Sequence, residues 1–297
     1  MLVHEALEQF VLQLSADGRS LHTIRQYRRH VRALARWAAE VGHSGDVEAF
    51  GHQDVARFLT SPHACQRPDG RAKRPTSANA IRTSMRVFFR YLHDAGLICT
   101  NPARLVRRAR CGQPPPRGLS DADQQRLLEA LAQAETAEEQ RDRVLIELML
   151  ATGVRVGAAV AIDIEDVDFE QREILLRSCK GGVGQRVFLP ARLVGRTHNL
   201  AQDRQGALFV GRGGRRITVR QVQRRLAMWR TRAGMGGSAS CHALRHACAM
   251  RIYERTGDVL MVKAVLGHRS IASTMVYARP TEAAVRLDLA PEKWTPR

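Results

Sequence analysis

The sequence predicts a mainly α-helical fold with a small antiparallel β-sheet, the sheet belonging to an α+β domain that follows an N-terminal helical bundle. Three observations predict it. Apolar residues recur with a helical period through the first hundred positions, and no alternating strand pattern competes. Three strand-like stretches follow one another between 162 and 190. Between these regions the chain runs RRARCGQPPPRG from Arg107 to Gly118, and three consecutive prolines cannot continue a helix. A length of 297 residues also suits two domains of roughly 100 to 200 residues each better than one core. The reading is a first domain at 1–106, a linker at 107–118 and a second domain at 119–297.

Helices are expected at about 2–15, 20–41, 52–60 and 77–95, with Ser20 and Gly42 as start and stop signals of the longest. On that helix Arg25, Arg28, Arg29, Arg32 and Arg36 fall on one face. Ile24, Tyr27, Val31, Leu34 and Ala38 occupy the other. No acidic residue lies between Arg25 and Arg36, whereas a merely solvated face would normally mix in acids for pairing one turn away. Arg82, Arg86 and Arg90 repeat the arrangement opposite Ile81, Met85, Phe88, Phe89 and Leu92. SPHACQRPDGRAKRP, at 61–75, reads as a basic loop that either contacts backbone phosphates or is simply mobile. After the linker, Leu119-Ser120-Asp121 opens helices at about 120–134 and 137–152. Strands follow at 162–168, 173–178 and 185–190, then helices at about 190–200, 217–233, 241–256, 258–266 and 270–279.

The formal net charge is +18, a strong field whose natural counterpart is a polyanion. The first 110 residues hold 18 basic and 9 acidic side chains and the remainder 29 and 20, so each part carries +9. Nucleic acid leads the candidate partners, and two basic faces in one helical bundle suggest a clamp on DNA. The alternative is a generic arginine-rich surface, since only four of the 47 basic residues are lysine. No apolar run approaches the ~18 residues of a membrane span, and the first residues lack a basic leader followed by an apolar block. A cytoplasmic, nucleoid-associated protein without a membrane partner is expected. Six scattered cysteines, with no C-x-x-C pair, read as reduced thiols, and no metal or other cofactor is expected.

Three segments carry chemistry together: ATGVRVGAAVAI around Arg155, CHALRHACAM around His242, and LGHRSIASTMVYAR from Leu266 to Arg279. Arg155 follows the end of an apolar helix at Thr152-Gly153, from where a side chain can enter a cleft. Arg245 lies three residues after His242, so both point the same way from one helix. Planar guanidinium groups suit charge that develops on phosphate oxygens. His242 and His246 have the i, i+4 spacing of a helical zinc pair, but Ala243 stands where the metalloprotease pattern needs its glutamate. His246 is read as a packing or supporting residue. Lys180 sits in the glycine-rich turn SCKGGVG, and a lysine can release a proton where an arginine cannot. His268 and Tyr277, nine residues apart, would face opposite ways on one straight helix. Gly267 as a stop and Ser270 as an N-cap break the chain between them and allow convergence.

The ordered set of Arg155, Lys180, His242-x-x-Arg245, Gly267-His268 and Tyr277 resembles the tyrosine recombinase (phage integrase, Xer-like) family over nearly the whole chain, most strongly over 148–280. The resemblance implies a helical core-DNA-binding (SAM-like) domain and a catalytic domain that together form a C-shaped clamp. It implies that Arg155 and Arg245 hold the scissile phosphate, with hydrogen bonds from His242 and His268. Lys180 is then the general acid, and Tyr277 the nucleophile that forms a 3′-phosphotyrosine, its phenolate stabilised by clustered cations. Site-specific recombination in integration, excision or resolution follows, by a homotetramer on synapsed DNA or a heterotetramer with a second recombinase. The segment after Tyr277 is expected to dock on a neighbouring protomer. One departure stands out: relatives usually carry an acid three positions after the first arginine, where this chain has Ala158. A type IB topoisomerase-like enzyme and a catalytically weakened DNA-binding regulator are the rival readings.

Overall fold

Helix signals in the sequence set the element boundaries of the computed structural model, which describes residues 1–111, 118–177, 184–236, 240–267, 270–271 and 274–277. The chain divides into two units, Met1–Gln113 and Pro114–Arg297.

The first unit is helical: α1 (Val3–Ala16), α2 (Leu21–Glu40), α3 (His52–Thr60), α4 (Pro62–Cys65) and α5 (Pro75–Asp94). The Ser20 hydroxyl caps α2 by accepting from the Thr23 amide, and Gly42 just beyond its end takes φ +71°. Phe10, Leu34, Phe58, Phe88 and Phe89 are fully buried between α1, α2, α3 and α5, with Phe10 and Phe88 edge to face at 5.4 Å. Each such burial contributes roughly 1.5–3 kcal/mol. Inside this core His30 Nδ1 and Ser84 Oγ meet at 2.7 Å and join α2 to α5. The side chain of Asn79 bonds both the carbonyl and the amide of Ala109, holding the exit of the unit against α5.

The expected loop 61–75 is more ordered than its composition suggests. Pro62 opens the single turn of α4, Gln66 and Ala72 pair as an antiparallel bridge, and α5 begins at Pro75 rather than 77 because proline suits the first turn of a helix.

The second unit contains α6 (Asp121–Ala132), α7 (Ala137–Thr152) and α8 (Val156–Val160), then strands β1 (Val167–Asp168), β2 (Glu173–Leu176) and β3 (Gln185–Phe188), then α9 (Ala191–Ala201), α10 (Val219–Arg232), α11 (Cys241–Thr256) and α12 (Val259–Leu266). Ser120 caps α6, and Thr136 with Glu139 forms a reciprocal capping box on α7. From Val144 to Leu150 every residue of α7 is buried, so this helix is the centre of the unit, against α9, α10 and α11. Its buried polar residue Asp142 is satisfied by Arg141, Arg225 and the Trp229 indole, tying α7 to α10.

The strands form an antiparallel meander in which Ile174 lies between Val167 and Val187. The expected first strand at 162–168 is mostly overturned, because Ile164–Asp166 is a 3₁₀ turn and only two residues pair with β2. Tertiary hydrogen bonds decide this: Ile164 donates to Gly206 O, and Leu208 donates to Ile162 O. The expected helix at 270–279 is also not regular. Thr274–Tyr277 form successive turns, with Thr274 and Met275 both donating to Ile271 O, and the rest of that stretch lies outside the described residues except Ser270 and Ile271. Among the described residues no helix is long and apolar enough to cross a membrane.

Candidate active site

Three helix ends build the site in the second unit. α7 stops at Gly153 in the left-handed conformation (φ +66°), and Arg155 follows as the N-cap of α8, half-buried. α11 carries His242, Arg245 and His246. α12 stops at Gly267, also left-handed at φ +61°.

Arg245 is 4 % exposed and donates from Nη1 to Gly153 O at 2.5 Å and from Nη2 to Leu266 O at 2.7 Å. It therefore bridges the ends of α7 and α12. His242 is exposed as a residue. Partial desolvation of its ring, then the positive charges of Arg245 and Arg155, hold its pKa below the usual imidazole value. Arg155, His242 and Arg245 thus share one cationic neighbourhood. Ala158, at the position of the usual acid, packs against the core of the unit.

Tyr277 is 4 % exposed and packs with Ala249, Val262 and Leu266. Its hydroxyl and His246 Nδ1 are 2.7 Å apart, and the His246 ring stands edge to face on His242 with centroids at 4.7 Å. Burial raises the Tyr277 pKa; Arg245 opposes this, and Cys248 adds to it. Among the described residues Arg245 is the cation that favours the phenolate, and burial outweighs it. His246, read from sequence as a packing or supporting residue, is the hydrogen-bond partner of the tyrosine hydroxyl. Its i, i+4 spacing from His242 was the only signal. Lys180 and His268 lie outside the described residues, as does the segment after Tyr277. Among the described residues no group of three or more His, Cys, Asp or Glu could hold a metal ion.

In the first unit Arg25, Arg29, Arg32, Arg36, Arg86 and Arg90 are exposed, while Arg28 and Arg82 are half-buried. Among the described residues, two of the eight have carboxylate partners, Arg28 with Glu8 at 3.1 Å and Arg90 with Asp94 at 3.3 Å. Arg29 and Arg36 line an open cleft of about 840 Å³ together with His63, Arg67 and Lys73. Lys73 donates to the carbonyls of His63 and Ala64; desolvation and the charge of Arg29 lower its pKa, with Cys65 opposing. Like charges gathered around one cleft suit an anion.

A helical unit followed by an α+β unit, with arginine, histidine and tyrosine converging on helix ends, defines a class of DNA strand-transfer enzymes. Residues 118–284 match the Phage integrase family, and residues 7–96 match the Phage integrase, N-terminal SAM-like domain. The chain belongs to the phage integrase family of site-specific tyrosine recombinases. It is 31 % identical over 277 residues to the tyrosine recombinase XerC of Xanthomonas campestris pv. campestris, covering 92 % of this chain and 83 % of the relative. Its fold is similar to that of the XerH site-specific recombinase bound to palindromic difH substrate in a post-cleavage complex. There the TM-score is 0.74 at 19 % identity, with 95 % of this chain and 82 % of that one covered. It is also similar to a lambda integrase tetramer bound to a Holliday junction, with a TM-score of 0.68 at 20 % identity and coverage of 91 % and 78 %.

Proposed function

We propose that this recombinase cuts and rejoins double-stranded DNA at specific recombination sites through a 3′-phosphotyrosine at Tyr277, in integration, excision or resolution. Residues 1–106 serve as the core-DNA-binding domain, 107–118 as the linker and 119–297 as the catalytic domain, the two domains closing on the duplex as a C-shaped clamp. The observation that carries the reading is the meeting of the Tyr277 hydroxyl with α11, the helix that also bears His242 and Arg245. Arg155 and Arg245 hold the non-bridging oxygens of the scissile phosphate, where added negative charge is met by guanidinium hydrogen bonds. His242 and His268 add hydrogen bonds to that phosphate. Lys180 protonates the departing 5′-oxygen. Energy is kept in the phosphotyrosine, so neither metal nor nucleotide is needed.

The exposed arginines of α2 and α5 bind backbone phosphate. Four protomers act on two synapsed sites, alone or with a second recombinase; lambda integrase, of similar fold, has been solved as a tetramer on a Holliday junction. The protein works in the cytoplasm, at the nucleoid.

The test is covalent trapping on nicked suicide duplexes in EDTA. The expected result is a denaturation-resistant protein–DNA adduct that disappears in Tyr277→Phe. Site-specific binding with no adduct would favour a catalytically weakened regulator, and sequence-independent supercoil relaxation by a monomer would favour a topoisomerase.

A further inference from the structure

We propose that His246 is the group that accepts the proton of Tyr277 as the tyrosine attacks DNA. The inference rests on the assignment of Tyr277 as nucleophile made above and adds the base that the assignment leaves open.

Among the described residues, the groups near the tyrosine from the elements packed around it are few. α11 presents His242, Arg245, His246, Cys248 and Tyr253, and α12 contributes the apolar Val262 and Leu266. Arg245 has no lone pair to offer, and it is already a donor to Gly153 O and Leu266 O. Cys248 is buried, donates its thiol to Ala151 O, and is pushed by burial towards the protonated form. The His242 ring stands edge to face on that of His246, and among the described residues the hydroxyl's hydrogen bond is to His246.

His246 alone of the described groups combines reach with capacity. Its Nδ1 lies 2.7 Å from the Tyr277 oxygen, within the range of a short O–H···N hydrogen bond. Burial, then the charges of His242 and Arg245, keep the ring neutral around pH 7. In the tautomer with hydrogen on Nε2, the phenol donates to the Nδ1 lone pair. That is the arrangement a base needs before the reaction starts.

The step balances as follows. The bond from Tyr277 Oη to phosphorus forms while the phenolic proton passes to His246 Nδ1. The bond from phosphorus to the 5′-oxygen breaks, and that oxygen keeps the electron pair and takes a proton from the general acid. On rejoining, the 5′-hydroxyl attacks phosphorus and gives its proton back to the conjugate base of the general acid, the bond from phosphorus to Oη breaks, and the imidazolium of His246 returns its proton to Tyr277.

The experiment is single-turnover cleavage of a suicide duplex whose scissile 5′-oxygen is replaced by sulfur. A thiolate leaves without protonation, so the rate reports the attacking side alone. Wild type, His246→Asn, His246→Phe and Tyr277→Phe are compared from about pH 7 to 9, with duplex binding and thermal unfolding as controls of folding.

The expected result is that both His246 variants bind DNA normally yet cleave at least ~100-fold more slowly at pH 7. Their rates then climb about tenfold per pH unit as solution base replaces the lost imidazole, while the wild-type rate stays nearly flat. Variants within threefold of wild type, variants that are slow with a flat pH profile, or variants faster than wild type would each overturn the proposal. The last two would make His246 a purely structural support and a restraint on the tyrosine, respectively. If Tyr277→Phe still forms adducts, the assignment of the nucleophile fails instead.

Discussion

Tyr277 and Arg245 are each 4 % exposed, although the proposed function sets both against a DNA phosphate. For the arginine, burial is explained by the two carbonyls it bridges; for the tyrosine, by an apolar bed with His246 at its polar end. A third buried side chain, His30 at 6 % exposure, gives a pH prediction. Its pKa is lowered to about 4 by burial, with Arg29 and Lys73 adding repulsion. A folded-state pKa below the unfolded value of 6.5 means that the unfolded chain binds the proton more readily. The contribution is therefore complete above pH 6.5 and is lost as pH falls towards 4. Between pH 7.5 and 4.5 the wild type should lose about 2.5 kcal/mol that His30→Gln does not lose. Guanidinium unfolding at the two pH values measures the difference, and equal losses in both proteins would contradict it.

At the scale of elements, the site depends on where helices stop. Gly153 ends α7 at φ +66°, which L side chains rarely adopt, and its carbonyl accepts from Arg245. A methyl group there would sit 2.4 Å from Leu266 Cδ2 and 3.3 Å from Cys248 Sγ. Gly153→Ala should therefore cost about 2–4 kcal/mol, combining backbone strain with overpacking. It should also slow cleavage by displacing Arg245. Thermal unfolding checks the first effect and adduct formation the second. Gly157→Ala, in α8, is the control: no atom lies within 4 Å of the added carbon, so stability should stay the same or rise slightly.

For the whole molecule the governing quantity is charge. With +18 overall, duplex binding should weaken steeply with salt. Arg29 and Arg36 share the basic cleft, so the double change Arg29→Ala/Arg36→Ala should lower the slope of log K against log salt by about 2. The weakening should be nearly equal on specific and unrelated duplexes, because phosphate contacts carry little sequence information. Fluorescence anisotropy at several salt concentrations tests both statements; a loss confined to the specific site would assign these arginines to base reading instead.

The sequence alone determined what local signals encode. Ser20, Ser120, Gly153 and Gly267 mark helix ends because capping and positive φ are properties of single residues and near neighbours. Helical periodicity fixed the long helices and their basic faces, and the ordered motif set fixed the family. Tertiary structure decided what depends on distant partners. Residues 162–166 left the strand they resemble because Gly206 and Leu208 take their backbone hydrogen bonds. Arg28 acquired Glu8 from another helix, although no acid lies near it in the chain. The tyrosine hydroxyl met His246, 31 residues away, because a contact made by folding leaves no period or spacing to read.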